Sequence, residues 1–234
     1  MPDKILIPAI EARLGSLLEF NRRNMAEKSA RAVIEKTRPT ITLSREFGCE
    51  AYPVADYLKK QLEKISHENW IVMDKGLLEE VAKNHNLSED LLKGLGEKSS
   101  FLDEILATFS PHWKTDKDHF RLICRHMVSL AEKGNVILIG RGGAVITHSL
   151  KNCFHFRMYA SQQFKIRSIS QRLEISEEEA DALIRRKQKL RDAFIRDFLN
   201  RDAHDLNLYN LVINNDRNTA EKTARTIAEY VLAG

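Results

Sequence analysis

The chain has no run of about 18 apolar residues, so no segment is long enough to cross a bilayer as a helix. Cysteine is scarce. Cys49, Cys124 and Cys153 are scattered without paired spacing, which excludes a disulfide framework and suits a reducing cytoplasm. Five prolines and ten glycines are too few for a long disordered tract. No HExxH motif and no zinc-finger spacing of Cys or His occurs among the eight histidines, so no metal-ligating residues are expected. The N-terminus lacks a basic start followed by an apolar run, so no secretory leader is expected. Charge of one sign is also missing: 37 basic residues face 33 acidic ones, for a net +4. That mild surplus suits an anionic small molecule as well as a weak nucleic-acid contact.

What is present fits one α/β domain with a helical extension. The 234 residues are 43% hydrophobic and 30% charged, enough to bury a core and keep a polar surface. Residues 5–37 read as a helix, with Ile7, Ile10, Leu14, Leu17 and Leu18 at helical spacing and Pro8 in its first turn. Such a stripe needs a surface to cover it. That surface is either the chain's own domain or a second copy, which would make the arm a homodimer contact. Glu11, Glu19, Glu27 and Glu35 interrupt its basic half, which argues against a nucleic-acid arm.

Short β-rich runs follow at 40–43, 70–73, 136–139, 153–159 and 211–214, and helical patterns separate them. Val136-Ile137-Leu138-Ile139 is apolar throughout, as a strand buried on both faces must be. The alternation predicts a doubly wound parallel five-stranded sheet with helices on both faces. Phe154, Phe156 and Met158 alternate along the fourth strand. Ser88, Ser100 and Thr115 are expected N-caps, and Ser176-Glu177-Glu178-Glu179 is a capping box. Residues about 75–114 read as a helical insert and about 161–205 as a lid.

In such sheets a ligand binds at the carboxyl ends of the strands. Those ends carry Ser44-Arg45, Asp74, Gly140-Arg141 and Asn214-Asn215-Asp216. Arg141 at its strand end is either a ligand contact or an ion-pair partner for Asp74. The stretch 182–201 holds seven Lys/Arg and two Asp. It is either a lid over an anion or a solvated helix matched to its own dipole. Cys49 precedes a helix, where a thiol is sometimes activated.

Taken in order, these segments resemble the cytidylate-kinase-like branch of the P-loop kinases. Thr42-Leu43-Ser44-Arg45-Glu46-Phe47-Gly48 resembles its opening. Met73-Asp74-Lys75-Gly76-Leu77-Leu78, Ile139-Gly140-Arg141-Gly142-Gly143-Ala144 and Leu208-Tyr209-Asn210-Leu211-Val212-Ile213-Asn214 resemble later elements. The likeness covers about residues 40–232. It sets a domain at 39–234 behind an extension at 1–38.

The resemblance implies ATP-dependent phosphoryl transfer to a nucleoside monophosphate, in the cytoplasm, with Mg²⁺ held mainly through phosphate oxygens. It implies phosphate binding at Ser44, Arg45, Gly48 and Cys49. Asp74, Gly140 and Arg141 would face the monophosphate. Arg167, Arg172 and Arg191 would close over the transferring group, since this chemistry rests on positioning and charge neutralisation. The loop departs from that pattern. Glu50 and Ala51 replace two glycines, so a carboxylate and a Cβ stand where phosphate should approach. Pro53 has no N–H to offer, and no Gly-Lys-Ser/Thr follows. Gln188 and Asn210 replace two aspartates. Two readings therefore stay open: a nucleotide kinase, or a kinase-fold protein without turnover that senses a nucleotide or binds a partner. A nucleic-acid module is the weakest third.

Overall fold

A computed structural model describes residues 7–30, 38–83, Ser88 and 114–233. Five strands form one sheet: β1 (Thr40–Arg45), β2 (Ile71–Met73), β3 (Val136–Ile139), β4 (Cys153–Tyr159) and β5 (Leu211–Asn214). Their spatial order is β2-β3-β1-β4-β5, and each neighbouring pair is parallel. The described helices are α1 (Ile10–Ala30), α2 (Ala51–Ser66), α3 (Lys75–Lys83), α4 (Lys114–Lys133), α5 (Gly143–Ile146), α6 (Gln162–Leu173), α7 (Glu177–Leu199) and α8 (Ala220–Leu232).

Two cores sandwich the sheet. On one face α2 and α8 cover Ile41, Leu43, Ile137, Ile139, Phe156 and Met158. On the other, α1, α3, α4 and the end of α7 cover Ile71, Met73, Val136 and Leu138. β3 is buried at all four positions, as its apolar sequence requires. β4 is buried on both faces too. Phe156 and Met158 enter the first core, while His155 and Arg157 are buried opposite them. His155 takes the Thr42 hydroxyl at 2.9 Å, and burial holds its imidazole down at about 4, so it stays neutral at ordinary pH. His126, on α4 with His119, is also buried and meets the Ser88 hydroxyl at 2.9 Å.

Local signals account for the helix starts. Ser161, Ser176 and Thr219 each cap a helix by accepting a backbone N–H, and the Ser176–Glu179 capping box is complete. Each such cap is worth about 1 kcal/mol. Three expectations shift. Thr115 lies inside α4, not ahead of it, and Pro8 precedes α1. Ser88 is buried against His126. Ser100 and the rest of the 84–113 insert lie outside the described residues.

The extension is part of the domain. Leu17 and Phe20 are buried, with Ile10 and Leu14 packed beside them against the β2–α3–α4 core. Ile10, Leu14 and Leu17 of the stripe are thus covered by their own chain, while Ile7 and Leu18 stay exposed. Arg13 reaches across to Asp74 at 2.8 Å, with only 10% and 14% of the two side chains exposed. Asp74 in turn accepts the Leu77 N–H at 3.0 Å and caps α3. A pair so little hydrated is costly to break from one side, because the orphaned charge stays buried. A double-mutant cycle on Arg13→Met and Asp74→Asn, read by urea unfolding, is expected to give a coupling of about 1–3 kcal/mol. Additive effects would mean that α1 does not depend on this pair.

Candidate functional site

A cavity of about 400 Å³ opens at the carboxyl ends of β1, β3 and β4, beneath α7. Its wall carries Ser44, Arg45, Gly140, Arg141, Arg157 and Arg191, with Lys75 and Lys187 at hand. Phe47, Phe194 and Tyr209 add aromatic surface. Cations and rings on one concave surface suit a phosphorylated, planar ligand.

The arginines are not equivalent. Arg141 is held in the left-handed region at φ 54°, between Gly140 and Gly142 at 72° and 73°. That conformation costs a non-glycine residue about 1–2 kcal/mol. The turn aims Arg141 at Glu79, with which it forms a close ion pair, and over the Phe194 ring at 5.0 Å. Its charge is therefore already matched, by Glu79 and not by Asp74. Gly140 is needed a second way, since a Cβ there would meet the Arg45 guanidinium.

Arg45, Arg157 and Arg191 have no carboxylate partner among the described residues. Burial and the nearby Arg191 push the Arg45 guanidinium down to about 9, so it remains charged at neutral pH. Arg191 lies over the Phe47 ring at 4.9 Å and donates to the Arg45 carbonyl at 3.3 Å. Burial lowers it as well. Arg157 is 5% exposed and is flanked by Tyr209 and His204.

The loop after β1 tells the opposite story. Phe47 N–H donates to Gln188 Oε1 of α7 at 2.8 Å, and Glu50 N–H to Asn215 Oδ1 at 2.9 Å. Cys49 N–H turns back to the Glu46 carbonyl at 3.3 Å. Gly48, at φ 101°, lies so close to α6 that a Cβ would strike Lys165. Glu46 accepts from Lys165 Nζ at 2.9 Å, and Glu50 accepts from the Ser168 hydroxyl at 2.9 Å. Phe47 packs into a small cluster with Ile169, Ala180 and Ile184. A phosphate cradle needs free amides turned toward one anion. Here three amides are spent on the chain itself, and two carboxylates sit among them. ATP phosphates do not fit this loop, nor does a Mg²⁺ that would ride on them.

The expected site residues therefore divide. Ser44, Arg45, Gly140, Arg141 and Arg191 are brought together around the cavity. Gly48 and Cys49 are buried under α6. Burial and the Glu46 charge push the Cys49 thiol up to about 12, which corrects the idea of an activated cysteine. Asp74 is committed to Arg13 and the α3 cap. Arg172 donates to the Ser168 carbonyl at 3.0 Å, and burial lowers it despite the Glu50 charge nearby. Arg167 is exposed on α6. Only Arg191 of the three lid arginines reaches the cavity. Sequence reading missed Arg157. The signal was a basic residue near the carboxyl end of a strand whose alternate residues are apolar.

Sheet, strand order and crevice together define a nucleotide-kinase-like α/β fold. The model for the cytidylate kinase-like family matches residues 40–217, and the chain belongs to that family. No curated protein matches it. Among solved structures, an uncharacterized protein from Eubacterium ventriosum is 17% identical, with a TM-score of 0.64 over 84% of this chain and 99% of that one. That likeness shows the shared fold. A shikimate kinase from Bacteroides thetaiotaomicron aligns over the same shares at 12% identity and a TM-score of 0.48, too loose an overlay to carry an argument.

Unmatched buried charge should cost the ligand-free protein stability. Arg45→Met is expected to raise the unfolding free energy by about 1–2 kcal/mol while weakening anion binding. A fall of more than about 1 kcal/mol in chemical denaturation would instead make this guanidinium a structural element.

Proposed function

We propose that the chain binds a nucleotide in the cavity and does not transfer phosphate from ATP. One contrast carries this reading. On the acceptor side Arg45, Arg157 and Arg191 form no ion pair with a carboxylate among the described residues, whereas the donor loop is closed by the chain's own side chains. Arg45 and Arg191 grip a phosphate group. Phe47, Phe194 and Tyr209 supply apolar surface for sugar and base, and Lys187 stands at the mouth. Binding of this kind needs no reacting residue, and a small-molecule sensor needs nothing more than affinity and a response.

One observation favours turnover instead. Arg191 arrives from a lid-like helix and touches the end of β1, as an arginine that stabilises a transferring phosphoryl group would. Its use in that way requires α6 and α7 to release the loop, breaking the Phe47–Gln188 and Glu46–Lys165 contacts together.

Isothermal titration with CMP and with ATP–Mg²⁺, beside a coupled assay of ADP release, separates the two. The proposal expects CMP, or another nucleoside monophosphate, to bind with a Kd of about 10–500 µM, the range of about −7 to −4.5 kcal/mol. It expects ATP–Mg²⁺ to compete with CMP rather than add to it, and no ADP above background. ADP release that disappears in Arg191→Ala would overturn it in favour of a kinase. No binding of any nucleotide at millimolar concentration would overturn both.

A further inference from the structure

The cationic groups of the cavity do not all stand at one place. Six cationic side chains line it, against Asp192 in the lining and Glu79 behind Arg141 and Lys75. The exposed lysines are screened by water and count for little. The three arginines without carboxylates remain, and a phosphomonoester brings about −1.5 to −2. With Asp192 counted, one phosphate nearly balances these three guanidiniums, so position and not surplus charge sets one of them apart.

Arg157 stands apart from the other two. Arg45 and Arg191 gather at the end of β1 beside Phe47. Arg157 is on β4, in register with Ser44, and lies toward the segment before β5. Its guanidinium is 5.6 Å from the Tyr209 ring centre. It donates to Tyr209 Oη at 3.4 Å and to His204 Nδ1 at 3.3 Å. These are long bonds, and neither partner is a carboxylate, the nearby Asp192 facing the other ring nitrogen of His204. A guanidinium keeps its charge, and one this buried is normally matched by an anion. Tyr209 is itself anchored, donating to the Ala203 carbonyl at 2.8 Å, so the setting is rigid.

We infer that Arg157 forms a second anion subsite in the cavity, and that the ligand is a nucleotide carrying a second phosphate on its sugar. The inference rests on the nucleotide-binding reading above. One phosphate sits between Arg45 and Arg191. The other sits on Arg157, whose planar fork accepts two phosphate oxygens side by side. The ring of Tyr209 holds that fork in place from beneath. Arg157 thus selects the ligand and does not hold the first phosphate.

The test compares CMP, CDP and cytidine 3′,5′-bisphosphate by titration calorimetry, with the adenosine series alongside to remove base preference. On the unaltered protein, the 3′,5′-bisphosphate of at least one base is expected to bind tenfold or more tighter than its monophosphate. The 5′-diphosphate, with its charge at one end, is expected to gain less than threefold. Arg157→Gln should erase the bisphosphate gain and leave the monophosphate Kd within threefold. Arg191→Gln should weaken both ligands alike, and Tyr209→Phe should retain the gain. Equal affinity for mono- and 3′,5′-bisphosphate on the unaltered protein would overturn the inference and leave nucleotide binding standing. So would an equal loss for both ligands in Arg157→Gln. Binding of none of these ligands would fell the nucleotide reading itself, and this inference with it.

Discussion

The seating of the β1–α2 loop against α6 and α7 is the contact on which the site depends. It joins a hydrogen bond from Phe47 to Gln188, an ion pair from Glu46 to Lys165, a hydroxyl from Ser168 to Glu50 and the burial of the Phe47 ring. None is strong alone, since a hydrogen bond is worth about 1 kcal/mol net. They all join the same loop to the same pair of helices, however, and opening the loop breaks all of them at once. The same seating brings α7 over the strand ends, which places Arg191 in the cavity and defines its roof. A closed β1–α2 loop and a formed cavity are therefore two results of one packing event.

That coupling explains why the cavity is both cationic and durable. Charges that repel one another would normally be driven apart or into water. Arg45 cannot leave, because its guanidinium lies over Gly140 and its strand is central to the sheet. Arg191 is fixed by the Phe47 ring and the Arg45 carbonyl. Arg141 is relieved by Glu79, at the cost of a left-handed backbone. The protein holds strain and unmatched charge here and draws stability from two apolar cores elsewhere, as functional sites commonly do.

Much of the fold was legible in the sequence, because its signals are local. The all-apolar Val136–Ile139 run, the Ser176 capping box and the alternation of strand and helix each report their own structure. The site was legible by position but not by role. Strand-end logic found Ser44, Arg45, Gly140 and Arg141, yet it could not see that Glu79 serves Arg141 and Arg13 serves Asp74. Those pairs join residues 62 and 61 apart in the chain, and they form only once α3 and α1 pack. Arg157 was hidden for a related reason. Alternation drew attention to Phe154, Phe156 and Met158, and the second face of β4 is buried by residues distant in the chain, Tyr209 and His204 against Arg157 and His148 against His155. Glu50 and Ala51 marked the loop as unsuited to phosphate. Their partners, Ser168 and the α6–α7 hairpin, belonged to tertiary structure.

The closure of the loop is open to direct observation. Amide hydrogen exchange at Phe47 and Glu50, followed by NMR with and without ATP–Mg²⁺, reads the two hydrogen bonds that occupy the cradle. Both amides are expected to be protected in the free protein and unchanged by the nucleotide. Rapid exchange in the free protein, with protection appearing only when ATP–Mg²⁺ is added, would show a working phosphate loop and contradict this account.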